Sequence, residues 1–168
     1  MAINFNTVYT ALQNSGGNNI PHTIQYVLQT TTDWITKTGG QQITELNCSI
    51  TPSNAASHIL LIANVACSSD AAYDGGLVFT KGGTNLTDSM GTSAGSVNAS
   101  FITGMSMGNA NMDQFTGFHI DHPNTTSSVT YGLKAYPNGS RTMYINRRGL
   151  DTTYTSRSRL LAIEIGDI

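Results

Sequence analysis

The sequence predicts an all-β fold, an antiparallel β-sandwich or jelly roll, and three observations carry that prediction. After Pro21, apolar and polar residues alternate with the period of two that strands require. About nine or ten short runs of this kind follow one another, separated by Gly, Pro, Asn and Ser. No later segment repeats the helical period found near the N-terminus. Helical bundles and alternating βαβ folds are therefore excluded.

Length and composition indicate one weakly charged domain. A chain of 168 residues suits a single core. Charged residues make up 11% of it, against about 25% in typical soluble proteins, and the net charge is -2. The N-terminus lacks the pattern of a signal peptide, and the longest apolar run, Ile59 to Ala63, is too short to cross a bilayer. We expect a soluble protein, made in a cytoplasm, that binds neither nucleic acid nor membrane.

A short amphipathic helix is predicted at the N-terminus, ending at Gly16-Gly17. Apolar residues recur there at i, i+3, i+4 and i+7, namely Phe5, Val8, Tyr9 and Leu12. A helix this short is marginal alone, so its stripe needs this domain, a neighbouring subunit or a larger assembly as partner. We assign residues 1–23 to an attachment arm and residues 24–168 to the sandwich.

The first strands are predicted from Gln25 to Thr31 and from Asp33 to Thr38, with Trp34 as an anchor of the latter and Gly39-Gly40 closing it. In "ITELNCSI" the residues Leu46, Cys48 and Ile50 share one face, and "TPSNAAS" supplies the following turn.

The next strand, "HILLIANVAC", is apolar at almost every position. Such a strand should be covered on both faces, one by the domain core and the other by another subunit. Cys48 and Cys67 could form one bridge, but their spacing fits no metal or redox motif and buried free thiols are favoured.

Six further stretches complete the sandwich. They are "GGLVFTKGGTNL", "ASFITGMSM", "QFTGFHI", "SSVTYGLKAYP", "RTMYIN" and "SRLLAIEI". Gly82-Gly83 is predicted to be a hairpin turn, and Pro137-Asn138-Gly139 is predicted to be an Asn-Gly hairpin with positive φ at Asn138.

"HIDHPNTTS", from His119 to Ser127, is the stretch that most resembles a metal site. His119 and Asp121 would share a strand face, and a third ligand would complete a zinc site. His122 points the other way, and nothing in the sequence brings His22 or His58 close. An aspartate before a turn, followed by Pro123 and hydroxyl residues, is what a connection between strands needs, so the structural interpretation is favoured.

No catalytic or cofactor motif stands out. The only glutamates, Glu45 and Glu164, lie in separate strand patterns, and no nucleophile elbow or phosphate loop is present. We expect no enzymatic activity, no metal and no cofactor. Aromatic and basic residues near loops could contact a glycan or a partner, although strand-end tyrosines and edge-protecting cations would look the same. These candidates are Tyr73, Tyr136, Tyr154, Arg147 and Arg148.

Four stretches, in order, resemble a recurrent family of small virion proteins of tailed bacteriophages, notably phages of marine bacteria and cyanobacteria. They are "ITPSNAASHILLIANV" (50–65), "DHPNTTSSVTYGLK" (121–134), "YINR" (144–147) and "LLAIEIGDI" (160–168), and the resemblance extends over residues 26–168. The family pattern has an Asp-x-Pro turn at Asp121 and Pro123. His119 and His122 depart from the Leu or Ser usual there.

The resemblance implies a jelly-roll-like sandwich similar to trimeric tumour-necrosis-factor or C1q heads, carried on the virion surface. The expected function is a homotrimeric capsid decoration or head-fibre protein; the alternative is a receptor-binding tail-fibre component that contacts host surface polysaccharide. Its expected partners are copies of itself and the major capsid protein or tail proteins. The family offers no catalytic residue to transfer.

Overall fold

The computed structural model describes residues 23–72, 75–91 and 108–166. These residues form eleven strands and two short 3-10 helices, at Thr44–Leu46 and Thr87–Ser89. The strands are Thr23–Thr31 (β1), Ile35–Thr38 (β2), Gln41–Gln42 (β3), Cys48–Ile50 (β4), His58–Ser69 (β5), Gly75–Lys81 (β6), Thr84–Asn85 (β7), Asp113–Asp121 (β8), Val129–Pro137 (β9), Thr142–Ile145 (β10) and Ser158–Ile165 (β11).

The strands form two antiparallel sheets. In the six-stranded sheet the order is β1-β11-β5-β10-β2, with β8 along the other edge of β5. Strand β5 is long enough to pair with β11 over its first half and with β10 at its end, so β10 extends the line of β11. The five-stranded sheet has the order β3-β9-β6-β7, with β4 also on β9. The predicted all-β sandwich is confirmed.

The core lies between the two sheets and is built by the alternation read from the sequence. Strand β5 contributes Ile59, Leu61 and Ala63, while the opposite sheet contributes Phe79 and Leu133, all fully buried. Their alternate neighbours on β5 are only partly buried, because they face the other side of the sheet.

Both cysteines lie in this core as free thiols, as predicted. Burial raises the pKa of the Cys48 thiol to about 11 and raises that of Cys67 as well. Both thiols therefore stay protonated near neutral pH. A protonated thiol is a poor nucleophile, because the thiolate is the reactive form.

Three local predictions have different outcomes. Gly82 and Gly83 do form the β6–β7 hairpin, with φ of 57° and 80°. The Asn-Gly hairpin is wrong: β9 and β10 belong to different sheets, and the positive φ, 62°, falls on Gly139 instead of Asn138. Trp34 is also no anchor, because β2 begins one residue later and buries Ile35, leaving Trp34 57% exposed.

Several predicted features lie outside the described residues. They are the helical arm with Phe5, Val8, Tyr9 and Leu12, the stretch at 99–107, and Tyr73. Strand β1 begins at Thr23, the last residue assigned to the arm.

Candidate assembly surface

Large apolar side chains that remain exposed fall into two groups. One group lies on the outer face of the six-stranded sheet, away from the core: Ile24, Tyr26, Leu28, Phe118 and Ile120. The other lies in loops: Trp34, Leu150 and Tyr154. Their exposed fractions run from 39% to 76%, which is unusual for so many neighbouring apolar residues.

Strand register joins the first group to partly buried residues of β5 and β11. One cross-strand row runs Tyr26, Ile163, Leu60, Ile120. The next runs Leu28, Leu161, Ile62, Phe118. We call these eight residues the outer apolar face. It crosses four strands and contains no charged side chain.

Polar residues border the outer apolar face. On one side the next row holds Thr30, Arg159, Asn64 and Thr116, in which the Asn64 amide donates to the Thr116 hydroxyl at 2.8 Å. On the other side, beside Ile165, the rings of His58 and His122 stack with centroids 4.4 Å apart. Polar residues thus limit the apolar area on the first side, while on the second side Ile24 and Ile165 extend it toward the two histidine rings.

The histidines of "HIDHPNTTS" lie at the end of β8. As predicted, His119 and Asp121 share a face and His122 points the other way, but His58 is not remote, since the pairing of β5 with β8 places it against His122. Burial lowers the pKa of His119. The negative charges of Asp121 and Asp88 act in the opposite direction but do not outweigh the effect of burial. No group of three His, Cys, Asp or Glu side chains suited to a metal occurs within the described residues.

Asp121 is a structural carboxylate. It is buried, accepts a hydrogen bond from the Tyr131 hydroxyl at 2.6 Å, and accepts from the Lys81 ammonium at 3.0 Å through both of its oxygens. Burial and the hydrogen bond to this carboxylate raise the pKa of Tyr131 far above the usual range. The Asp-x-Pro turn and Tyr131, both in the resembling stretch 121–134, therefore meet in one contact between the sheets.

Glu164 forms a second buried polar contact, which joins β11, β1 and the turn before β5. We call this contact the Glu164 latch. Its carboxylate, fully buried, accepts from the Gln25 amide at 2.6 Å and from the Ser53 backbone N–H and hydroxyl at 2.8 and 2.7 Å. Burial alone would raise the pKa of Glu164, but hydrogen bonds from Gln25, Ser53 and Ser57 outweigh it and lower the pKa. Two of the resembling stretches, 50–65 with Ser53 and 160–168 with Glu164, are thereby joined.

This latch predicts acid sensitivity. Because the folded pKa of Glu164 is depressed, its stabilisation is complete above the unfolded value, about 4.3, and is lost as the pH falls through the lower folded value. We expect Glu164→Gln to lower the free energy of unfolding by about 1 to 3 kcal/mol at pH 7. Below about pH 4.5, the free energy of unfolding of this variant should fall less steeply than that of the wild type. Urea unfolding between pH 7 and 3 measures both effects.

Glu45→Gln is the matched control, since Glu45 is the other glutamate of the chain and lies 3.9 Å from Lys37 in a more exposed pair. It should change the free energy of unfolding by less than about 1 kcal/mol. Parallel acid curves for wild type and Glu164→Gln would contradict the assignment of the latch.

Asn146 closes the loop end of the six-stranded sheet. Its backbone has φ 64°, its side chain is fully buried, and its amide donates to the carbonyls of Thr31 and Asp33 at 3.1 and 3.0 Å. Its amide oxygen accepts from the Ser158 hydroxyl at 2.7 Å, and that hydroxyl accepts from the backbone of Ala66. One asparagine thus holds β1, β5 and β11 together.

The glycan candidates of the sequence are only partly brought together. Arg148 and Tyr154 meet, with the guanidinium carbon 4.5 Å from the ring centroid. Tyr136 lies elsewhere, bonded to Asn85 through its hydroxyl at 2.9 Å, and the guanidinium of Arg147 covers the Tyr144 ring instead.

The contribution of β8 to the outer apolar face was not predicted from the sequence. A signal was present: Phe115 and Phe118 are three positions apart in one strand, so they had to point to opposite faces. The structure packs Phe115 against the core and leaves Phe118 76% exposed.

Within the described ranges, none of the helical segments has the length and apolar character needed to traverse a lipid bilayer.

Comparison with known proteins leaves the family open. No protein-family model and no curated protein matches the sequence. One solved structure that resembles this chain is described as "Structure of infectious bursal disease virus Gx strain", with 12% sequence identity and a TM-score of 0.35. The match covers 85% of this chain and 42% of that one, so this chain spans less than half of its length.

Proposed function

We propose that this protein is a non-enzymatic structural protein of a tailed-bacteriophage virion, a homotrimeric capsid decoration or head-fibre protein on the particle surface. The outer apolar face is the single observation that carries the proposal. Eight apolar side chains in two aligned rows on the outer face of a sheet favour burial against a protein partner, which would remove them from water.

Copies of the same chain suit this surface. The two rows contain no charge, so identical subunits can approach without like-charge repulsion, and the burial of apolar area favours association by about 25 cal/mol per Å². The number three and the virion location come from the resemblance over residues 26–168 to small phage virion proteins. In this proposal residues 1–23 attach the trimer to capsid or tail proteins.

Contacts behind the resembling motifs also favour a structural role. Ser53 bonds Glu164, Asp121 bonds Tyr131, and Asn146 ties strands together. Each of these polar residues stabilises the sandwich through its hydrogen bonds. Such contacts suit a rigid domain displayed on a particle.

A second candidate is a receptor-binding tail-fibre component that contacts host surface polysaccharide. The pairing of Arg148 with the exposed ring of Tyr154 favours it, because exposed aromatic rings at loops stack on sugars.

Immunogold labelling of purified virions tests the location. We expect label distributed over the head when antibodies raised against residues 24–168 are used. Label confined to the tail would replace the decoration role with the receptor-binding one. Unlabelled particles, with the protein found only in the lysed host, would overturn both.

A further inference from the structure

A second surface is formed by loops near the end of the sheet where Asn146 lies. It is a hollow of about 510 Å³ between the β10–β11 loop and the segment leading into β8. We call it the loop hollow; its lining residues are Ala110, Asn111, Met112, Asp113, Arg148 and Tyr154. We propose that the loop hollow binds a neutral saccharide, with one sugar ring stacked on Tyr154.

Hydrogen bonds hold the two walls of the loop hollow together. The backbone N–H of Leu150 donates to the carbonyl of Asn109 at 2.8 Å, and the Gln114 amide donates to the Ser156 hydroxyl at 3.1 Å. Gly149 packs so closely on the Ser69 backbone that a side chain would collide with it. A ligand would therefore meet walls that are already positioned, which lowers the entropy cost of binding.

Tyr154 provides a stacking platform. The Arg148 guanidinium covers one side of its ring at 4.5 Å, and the side chain is still 61% exposed, so the other side faces solvent. Arg148 is itself fixed, because its Nε donates to Asp151 at 3.0 Å and its Nη1 contacts the Ala110 carbonyl at 3.4 Å. The C–H face of a pyranose packs well on such an open ring.

Charge selects a neutral sugar over an anionic ligand. The positive charge of Arg148 is compensated by Asp151, and the carboxylate of Asp113 adds a negative charge to the lining. Phosphates and uronic acids would be repelled. Sugar hydroxyls, in contrast, can donate to Asp113 and exchange hydrogen bonds with the Asn111 amide. The hollow lies at the surface and so suits one or two units of a longer chain.

This inference does not depend on the virion location. If the protein is trimeric, three hollows would act together and strengthen a weak contact with a repetitive polysaccharide.

NMR titration of the full-length protein with soluble oligosaccharides tests the site. The probes are neutral oligomers of hexoses and of N-acetylhexosamines, and acidic oligomers of uronic acids. We expect neutral oligomers to bind with dissociation constants near about 1 mM and Tyr154→Ala to weaken binding about tenfold or more. Trp34→Ala is the matched control: it removes another exposed aromatic ring, 57% exposed, that is not part of the lining, so binding should remain within about twofold.

Three results would overturn the inference. They are no binding of any neutral oligomer at about 10 mM, preferential binding of the acidic oligomers, and unchanged affinity in Tyr154→Ala. Should Tyr154→Ala fail to fold, Asp113→Asn serves instead, because it removes an acceptor at the strand start and should still weaken neutral binding. Unchanged affinity in a folded Asp113→Asn protein would then contradict the site.

Discussion

Replacing Asn146 with alanine is expected to lower the free energy of unfolding by about 3 to 5 kcal/mol, the largest effect of a single side chain predicted for this fold. The substitution leaves the carbonyls of Thr31 and Asp33 and the hydroxyl of Ser158 without their buried partner. It also places alanine at φ 64°, which asparagine tolerates better. Chemical denaturation measures the loss.

Two further variants separate the causes. Asn146→Gly accepts the backbone conformation, so any remaining loss reports the missing hydrogen bonds. Asn124→Ala is the matched control: Asn124 also has positive φ, 54°, but it is exposed and its amide donates only to the nearby His122 carbonyl. We expect about 1 kcal/mol there. Equal losses at both asparagines would show that backbone conformation, and not the buried contacts, explains the effect.

Replacing Ile62 with lysine is expected to abolish self-association while leaving the sandwich folded. Ile62 lies at the middle of the outer apolar face on the central strand β5, where its side chain is partly exposed in the single chain. Association would have to bury an unpaired ammonium, which costs several kcal/mol and should weaken assembly by about a thousandfold or more. Sedimentation equilibrium measures the change.

Asn64→Lys is the control for that variant. Asn64 lies on the same strand and face but in the polar row beyond the outer apolar face. We expect it to assemble almost as wild type does, and both variants to unfold at free energies within about 1 kcal/mol of wild type. If Ile62→Lys assembles normally, another surface mediates association.

Sequence patterns predicted the strands better than their arrangement. The nearly continuous apolar run of β5 correctly indicated a strand apolar on both faces, because successive side chains of a strand point to opposite faces. The turn at Asn138 shows the limit: local residues indicate a reversal of the chain, but not that the next strand joins the other sheet. That choice depends on pairing of β10 with β5 and β2, far along the chain.

The candidate surfaces were predictable to different extents. The outer apolar face follows in part from strand parity, including Phe118. The Glu164 latch could not be predicted from the sequence, because the partners of Glu164 lie 139 and 111 positions away, at Gln25 and Ser53. The loop hollow likewise forms between two segments whose proximity only the fold establishes.

The central claim is that the outer apolar face joins copies of this chain into a trimer. Light scattering of the full-length protein at micromolar concentrations tests it most directly. The proposal predicts a particle of three times 17.9 kDa for the wild type and of 17.9 kDa for Ile62→Lys. A wild-type protein that scatters as a 17.9 kDa monomer throughout that range would contradict it.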